Sequence, residues 1–138
     1  MRCFIDTNIL ISAGLFPNSV PAAALKKALT PPNTAVVCDY SLDEMRRVIK
    51  NKFPTKIHDL ELFLDRLLLT VELVPTPDCA HDAESEIRDI KDRPILRAAI
   101  NADVDIILTG DKDFLESAVV YPKIMTAAQF IQLNKNNI

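Results

Sequence analysis

The chain has 138 residues, of which 49% are hydrophobic and 25% are charged, and its formal net charge is −3. This composition is typical of one soluble globular domain and argues against disorder across the bulk of the chain. The negative charge disfavours a simple nucleic-acid-binding module, although bound metal cations could offset acidic residues in a nuclease.

Neither a secretory signal nor a membrane span is evident. The N-terminus becomes acidic at Asp6 before a long apolar run develops, and charges interrupt the most apolar segment, 60–74. Three cysteines without Cys-x-x-Cys spacing argue against a disulfide framework or a zinc site. We therefore expect a cytoplasmic protein in which Cys3 and Cys38 are small core residues.

Strand-like and helix-like segments alternate along the first half of the chain. Segment 56–69 carries apolar residues three and four positions apart, which is typical of an amphipathic helix. The prolines after residues 30 and 53 mark helix ends. The predicted elements are, in chain order, a strand over 2–5, a helix over 22–29, a strand over 35–38, a helix over 41–51, a helix over 56–69 and a strand over 71–74.

The second half continues this alternation after segment 75–91, which shows no clear pattern. Pro94 suits the first turn of a helix, Gly110 ends an apolar run, and Thr126 suits the N-cap of a last helix. The predicted elements are a helix over 94–102, a strand over 105–109, a short helix over 111–117, a short strand over 119–120 and a last helix that ends near Leu133.

Strands that alternate with helices predict an α/β protein with a mostly parallel central sheet. Right-handed crossovers place helices on both faces of that sheet. A sheet covered on both faces explains why the predicted strands are short and nearly all apolar. We expect one domain over residues 1–133, followed by a polar tail over 134–138.

Four acidic residues are predicted to lie at the carboxyl edge of this sheet, where parallel α/β folds form their sites. Asp6 directly follows the first strand, and Asp111 follows the fourth. Glu44 lies in the first turn of the predicted helix after the second strand. Asp92 lies just before the helix that leads into the fourth strand. If the unpatterned segment before it returns to this edge, the four carboxylates converge.

Each of these acids also has a purely structural interpretation. Ser41 and Glu44 have the spacing of a capping box, and Asp6 could form a turn or cap after the first strand. Asp92 could favour a helix N-terminus through its charge, and Asp111 could cap the short helix that follows it. The two interpretations of Glu44 are equally consistent with the sequence. Four such positions at one edge favour a shared site.

A shared site of four carboxylates requires a cation. Close carboxylates repel one another, and some would hold protons at neutral pH unless a cation were present. Mg²⁺ or Mn²⁺ relieves this repulsion and prefers oxygen ligands, and no cluster of His and Cys points to zinc. A hard divalent cation at a strand edge suits phosphodiester hydrolysis.

Four segments of the chain resemble the PIN-domain family. They are FIDTNIL at 4–10, SLDEM at 41–45, KDRPIL at 91–96 and ILTGDKDF at 107–114. Their order and spacing cover the chain from Arg2 to about Gln129. The last two segments are the more specific ones.

The resemblance implies a three-layer α/β/α sandwich and a Mg- or Mn-dependent ribonuclease. The residues that it implies as catalytic ligands for one or two ions are Asp6, Glu44, Asp92 and Asp111. The residues that it implies as auxiliary are Asn8, Thr109 and Asp113, which could orient water, ligands or the scissile phosphate. Asp89 is the alternative to Asp92 as a ligand.

Within the family, the chain length and the TGDKDF turn most resemble the VapC-like toxins of prokaryotic toxin–antitoxin pairs. That resemblance implies an RNA substrate, a small antitoxin partner and a homodimer. A non-catalytic PIN-like interaction domain is the alternative function. The complete acidic set argues against this alternative.

Three basic residues near these acids are weaker candidates for contacts with a substrate. Arg46 and Lys50 share one face of the predicted helix that carries Glu44. They could follow phosphates beside the metal site or belong to an ordinary solvated face. Lys112 lies inside the acidic turn, where it could contact phosphate or balance charge.

Overall fold

The computed structural model describes residues 1–133, so the predicted polar tail at 134–138 lies outside the described residues. Five short strands lie at its centre. They are β1 Arg2–Ile5, β2 Thr34–Cys38, β3 Glu72–Val74, β4 Ile106–Leu108 and β5 Lys123–Met125. All neighbouring pairs are parallel, in the order β3-β2-β1-β4-β5. The predicted parallel α/β sheet is therefore confirmed.

Seven helices connect and cover these strands within residues 1–133. They are α1 Thr7–Leu15, α2 Val20–Leu29, α3 Asp39–Lys52, α4 Ile57–Leu67, α5 Arg93–Asn101, α6 Lys112–Leu115 and α7 Ala127–Gln132. Short 3-10 turns cover Pro54–Lys56, Asp82–Glu86 and Ile90–Asp92. None of the described helices alone is long and apolar enough to cross a membrane. Only α1 and α2 together, bent by 110°, meet that test, by length and composition alone.

Alternate residues of the central strands point to opposite faces of the sheet. In β1, Cys3 and Ile5 belong to one hydrophobic core, whereas Phe4 belongs to the other. Apolar residues of α1–α4 and α7 complete the first core, and those of α5 and α6 complete the second. Cys3 and Cys38 are both buried, as predicted for small core residues. The three-layer α/β/α sandwich implied by the family resemblance is confirmed.

The strand order places a topological switch between β1 and β4. From β1 the chain moves outward to β2 and β3 on one side, and it then crosses back to β4 and β5 on the other side. In open α/β sheets, connections that diverge in this way leave a crevice at the carboxyl edge. Asp6 directly follows β1, and Asp111 lies three residues after β4. The fold therefore brings two of the predicted acids to the same crevice.

One element is missing from the sequence prediction and another is misplaced. Helix α1 is absent from the predicted elements because its residues are apolar on nearly all sides, so it shows no amphipathic stripe. The fifth strand is Lys123–Met125 and not 119–120. Val120 is 86% exposed, whereas Met125 is buried and pairs with Leu108 of β4.

The helix that carries Glu44 begins earlier than predicted. Helix α3 starts at Asp39, with Cys38 as its N-cap residue, so Glu44 lies in the second turn and not in the first. Ser41 is a fully buried residue of the helix interior, and its hydroxyl lies 3.2 Å from the Cys38 sulfur. The capping box considered for Ser41 and Glu44 is therefore not formed, and Glu44 has no capping role.

Candidate functional site

Asp6 lies at the junction of β1 and α1 and is only 4% exposed. Its Oδ1 accepts a hydrogen bond from the Thr7 backbone N–H at 2.8 Å, so Asp6 caps α1. Its Oδ2 accepts a hydrogen bond from the Thr109 hydroxyl at 2.6 Å. Because each carboxylate oxygen has two lone pairs, these two bonds fix the orientation of the group without exhausting its capacity to accept.

The turn after β4 holds Asp111 beside Asp6. The Thr109 hydroxyl that donates to Asp6 also accepts a hydrogen bond from the Asp111 backbone N–H at 3.0 Å. Asp111 Oδ1 accepts from the Asp113 N–H at 2.8 Å and caps α6. Asn8 is exposed and accepts a longer bond, 3.4 Å, from the same turn. One buried hydroxyl thus links the position of Asp6 to the path of the acidic turn.

The four acids predicted from the sequence line one cleft of about 180 Å³, which we call the carboxylate cleft. Asp6 and Asp111 form one side of it through the β1 and β4 turns. Glu44 reaches it from the second turn of α3, and Asp92 reaches it from the start of α5. Asp92 occupies the N-cap position of α5 but makes no capping hydrogen bond with its side chain. The other residues that line this cleft are Thr7, Asn8, Ile11, Val48 and Lys52.

Two arginines of α5 fix the segment that precedes Asp92. Arg97 donates through Nε and Nη2 to the two carboxylate oxygens of Glu84, at 3.0 and 2.8 Å. The Nε of Arg93 donates to the Ile87 carbonyl at 2.9 Å. Glu84 is nearly buried, and the bidentate bond to Arg97 lowers its pKa. These contacts fold the unpatterned segment back onto α5 and so bring Asp92 to the sheet edge.

The crowding of these acids changes their protonation. Burial raises the pKa of Asp6 to about 6, against the opposing effect of the Thr109 hydrogen bond, and the charges of Glu44 and Asp111 raise it further. Burial also raises the pKa of Asp92 well above its usual range, and a hydrogen bond with the Asp111 carboxyl adds to this shift. A proton retained by Asp92 therefore relieves the repulsion when no cation does.

The donor set of the carboxylate cleft fits a hard divalent cation. All of its titratable ligand side chains are carboxylates, and no His or Cys lines it among the described residues. Oxygen donors of this kind are the ligands that Mg²⁺ and Mn²⁺ prefer. A cation that binds here would displace the protons that Asp6 and Asp92 retain, so its binding would strengthen as the pH rises.

A second acidic group overlaps the first at Asp92. Carboxylate oxygens of Asp89, Asp92 and Asp113 lie within 4.8 Å of one another. Asp89 is exposed and caps a 3-10 turn by accepting from the Lys91 N–H, and Asp113 is bound by Arg88 at 2.8 Å. Asp92 lines the carboxylate cleft, whereas Asp89 and Asp113 do not, so the cleft has Asp92 and not Asp89 as its member.

A larger, basic cleft adjoins the carboxylate cleft along α3, and we call it the Tyr40 cleft. Its volume is about 420 Å³, and it shares Glu44, Val48 and Lys52 with the carboxylate cleft. The residues that line only the Tyr40 cleft are Tyr40, Arg47, Asn51 and Lys91. Neither Arg46 nor Lys50, the candidates from the sequence, lines either cleft, and the exposed Lys112 lies outside both.

Helical spacing explains which basic residues reach the clefts. Arg47, Asn51 and Lys52 lie three, seven and eight positions after Glu44, so they share its face of α3. Arg46 and Lys50 share a face with each other but not with Glu44, and Arg46 faces Asp43 at 3.9 Å. Helical spacing counted from Glu44 identifies Arg47 and Lys52, whereas the spacing between Arg46 and Lys50 does not relate these two cations to the acid. Nothing in the sequence pattern marks Lys91, which the fold of the preceding segment brings in.

The family model described as "PIN domain" matches residues 2–113 of the chain. VapBC2 from Rickettsia felis, bound to a DNA fragment from its promoter, has a TM-score of 0.69 at 17% identity, and the match covers 91% of this chain and 98% of that chain. DNA-bound VapBC from Salmonella typhimurium gives 0.68 at 12% identity, with coverage of 92% and 98%.

VapC20 from Mycobacterium tuberculosis, described as a sarcin–ricin loop cleaving toxin, gives a TM-score of 0.58 at 14% identity. That match covers 86% of this chain and 96% of that chain. At such identities the likeness concerns the fold. No curated protein sequence is significantly similar to this chain.

Proposed function

The chain belongs to the PIN domain family, and on that premise we propose that it is a metal-dependent ribonuclease that hydrolyses RNA phosphodiester bonds. One observation carries the proposal. Four carboxylates from four separate parts of the chain, Asp6, Glu44, Asp92 and Asp111, line a single cleft at the switch point of the sheet. The capping of α1 and α6 explains part of the role of Asp6 and Asp111. It does not explain why Glu44 and Asp92 lie in the cleft, because neither side chain caps a helix.

The four carboxylates would hold one or two Mg²⁺ or Mn²⁺ ions. A divalent cation in this position lowers the pKa of a water molecule and offsets the charge that develops on a phosphate during hydrolysis. Thr109 and the Thr7 N–H keep the Asp6 carboxylate in one orientation, and such outer hydrogen bonds commonly improve metal affinity.

The residues of the chain also supply the environment for a phosphate. Lys52 lines the carboxylate cleft at its border with the Tyr40 cleft, and its ammonium would attract the phosphate backbone of a bound RNA towards the site. The proton that Asp92 retains would leave when a cation binds, so Asp92 would act as an anion in the loaded site. Asp113 and Asn8 would support the acidic turn from outside.

We further propose that the protein is the cytoplasmic toxin of a toxin–antitoxin pair, acting as a homodimer with a small antitoxin as its partner. Its fold likeness to VapBC and VapC20 structures and the TGDKDF turn support this role. Expression of the protein alone should arrest growth, and co-expression of a small antitoxin encoded beside its gene should relieve that arrest. Unchanged growth on expression of the protein alone would remove the toxin role without affecting the nuclease role.

The direct test is cleavage of single-stranded and structured RNA with Mn²⁺ or with chelator. We compare the wild type with Asp6→Asn and Asp92→Asn, and with Asp65→Asn on the exposed side of α4 as a matched control. All variants must show the circular dichroism of the folded protein. We expect Mn²⁺-dependent cleavage by the wild type and the control, and loss of cleavage in both site variants.

Cleavage that survives in the folded Asp6→Asn and Asp92→Asn variants would indicate a contaminating nuclease and contradict the proposal. Absence of cleavage together with absence of Mn²⁺ binding by calorimetry would instead indicate the non-catalytic interaction domain.

A further inference from the structure

The Tyr40 cleft has a charge opposite to that of the neighbouring carboxylate cleft. Its walls carry the cations Arg47, Lys52 and Lys91 and a single acid, Glu44, which also belongs to the carboxylate cleft. Within residues 1–133, none of the three cations forms a salt bridge. A protein with a net charge of −3 therefore concentrates uncompensated positive charge beside its acidic site.

This placement suits a polyanion that crosses both clefts. The two clefts are continuous, because Glu44, Val48 and Lys52 border both of them. A nucleic acid strand bound at the carboxylates would extend into the basic cleft. Cations that contact phosphates in this way supply affinity without reading sequence.

The same cleft offers groups that suit an unpaired base. The Tyr40 hydroxyl donates to the Lys91 carbonyl at 2.7 Å, which fixes the ring against the 3-10 turn before α5. Arg47 lines the same cleft. Aromatic rings and guanidinium planes are the surfaces on which proteins stack unpaired RNA bases. Asn51 adds an amide that can both donate and accept at a base edge.

We propose that the Tyr40 cleft binds the nucleotide adjacent to the cleaved phosphate in a single-stranded RNA, with Arg47 and Lys52 on its phosphate and Tyr40 stacked on its base. This inference rests on the proposed ribonuclease function, since it names the substrate subsite of that activity. It also explains how a protein of net negative charge would hold RNA.

The test compares two pairs of charge-removing variants on the same helix. Arg47→Gln and Lys52→Met remove cations from the Tyr40 cleft, whereas Arg46→Gln and Lys50→Met remove the same charges from the face of α3 that lines neither cleft. The probe is a short fluorescein-labelled single-stranded RNA of mixed sequence. Fluorescence anisotropy gives its Kd in chelator, so no cleavage occurs, over a range of salt concentrations.

We expect the Arg47 and Lys52 variants each to weaken RNA binding several-fold and to reduce the slope of log K against log salt by about 0.7, the value for one lost phosphate contact on a single strand. We expect the Arg46 and Lys50 variants to keep the wild-type Kd and slope to within about a factor of two. Equal effects in the two pairs, or no measurable binding of the RNA by the wild type, would overturn the inference.

Stacking is tested separately with an RNA that contains 2-aminopurine, whose fluorescence is quenched when the base stacks. Tyr40→Phe keeps the ring and should keep the quenching, whereas Tyr40→Leu should lose it. Quenching that persists in Tyr40→Leu would contradict the role of Tyr40. Mn²⁺-dependent cleavage is measured in parallel and tests the ribonuclease function. Its outcome is independent of the binding assays, because those assays contain no metal.

Discussion

Replacing Asp6 by Asn should remove a pH-dependent loss of stability from the metal-free protein. Burial raises the pKa of Asp6 from 3.8 to about 6. Because one pKa unit corresponds to about 1.4 kcal/mol, ionisation of Asp6 in the folded state costs about 3 kcal/mol of stability in total. The folded protein does not bear this cost below the pKa that Asp6 has in the unfolded chain, where the carboxyl is protonated. The corresponding stability is lost as the pH rises through about 6, the pKa of Asp6 in the folded protein. Between about pH 5 and about pH 7 the loss is about 1 kcal/mol.

Urea unfolding in chelator at about pH 5 and about pH 7 measures this loss as the difference between the wild type and Asp6→Asn, because Asp92, whose pKa is also raised, contributes in both proteins. Below that window Glu72 and Glu84 complicate the result, because their lowered pKa values make stability fall with decreasing pH. We expect the wild type and Asp65→Asn to have a lower free energy of unfolding at the higher pH. In Asp6→Asn this decrease should be smaller by about 1 kcal/mol. The same pH dependence in Asp6→Asn and in the wild type would refute the reasoning from burial.

Three further predictions concern the site and its support. Thr109→Val should reduce the rate of Mn²⁺-dependent RNA cleavage about 10- to 100-fold, because it removes the hydroxyl that orients Asp6. Thr109→Ser should keep the wild-type rate, and full activity of the valine variant would contradict this role. Phe114→Ala should lower the free energy of unfolding by about 3–5 kcal/mol, because the fully buried ring of Phe114 anchors the acidic turn. Urea unfolding measures this loss, and a value below about 1 kcal/mol would show that the core closes around the cavity. Mn²⁺ should raise the Tm of the wild type more at about pH 8 than at about pH 6, since protons on Asp6 and Asp92 compete with the cation. Differential scanning fluorimetry measures both Tm values, and an equal rise at the two pH values would contradict the competition.

The elements with strong local patterns could be predicted from the sequence. The apolar strands at 2–5 and 35–38 and the helix that starts near Pro94 were predictable because each is bounded by a cap, a proline or a charge. Helix α1 could not be recognised, because a helix buried on nearly all sides carries no amphipathic pattern. The family resemblance is confirmed over residues 2–113, and it rests on four short motifs more than on periodicity.

The candidate site was predictable only in part, for a different reason. Asp6 follows β1 directly and Asp111 lies three residues after β4, so the ends of the strands place both of them. The position of Asp92 depends on contacts between distant side chains, above all Arg97 with Glu84 and Arg93 with Ile87, which leave no periodic trace in the sequence. The role of these four acids as ligands stays a prediction.

The pairing of β1 with β4 also determines when a growing chain can acquire its site. Asp6 is synthesised 103 positions before its partner Thr109, and the backbone N–H of Asp6 donates to the Leu108 carbonyl of β4. Contacts of such long sequence separation form late, after the segments between them have been synthesised and have collapsed. A nascent chain that has not yet exposed β4 beyond the ribosome therefore has no carboxylate cleft, even if α1 to α4 have already folded.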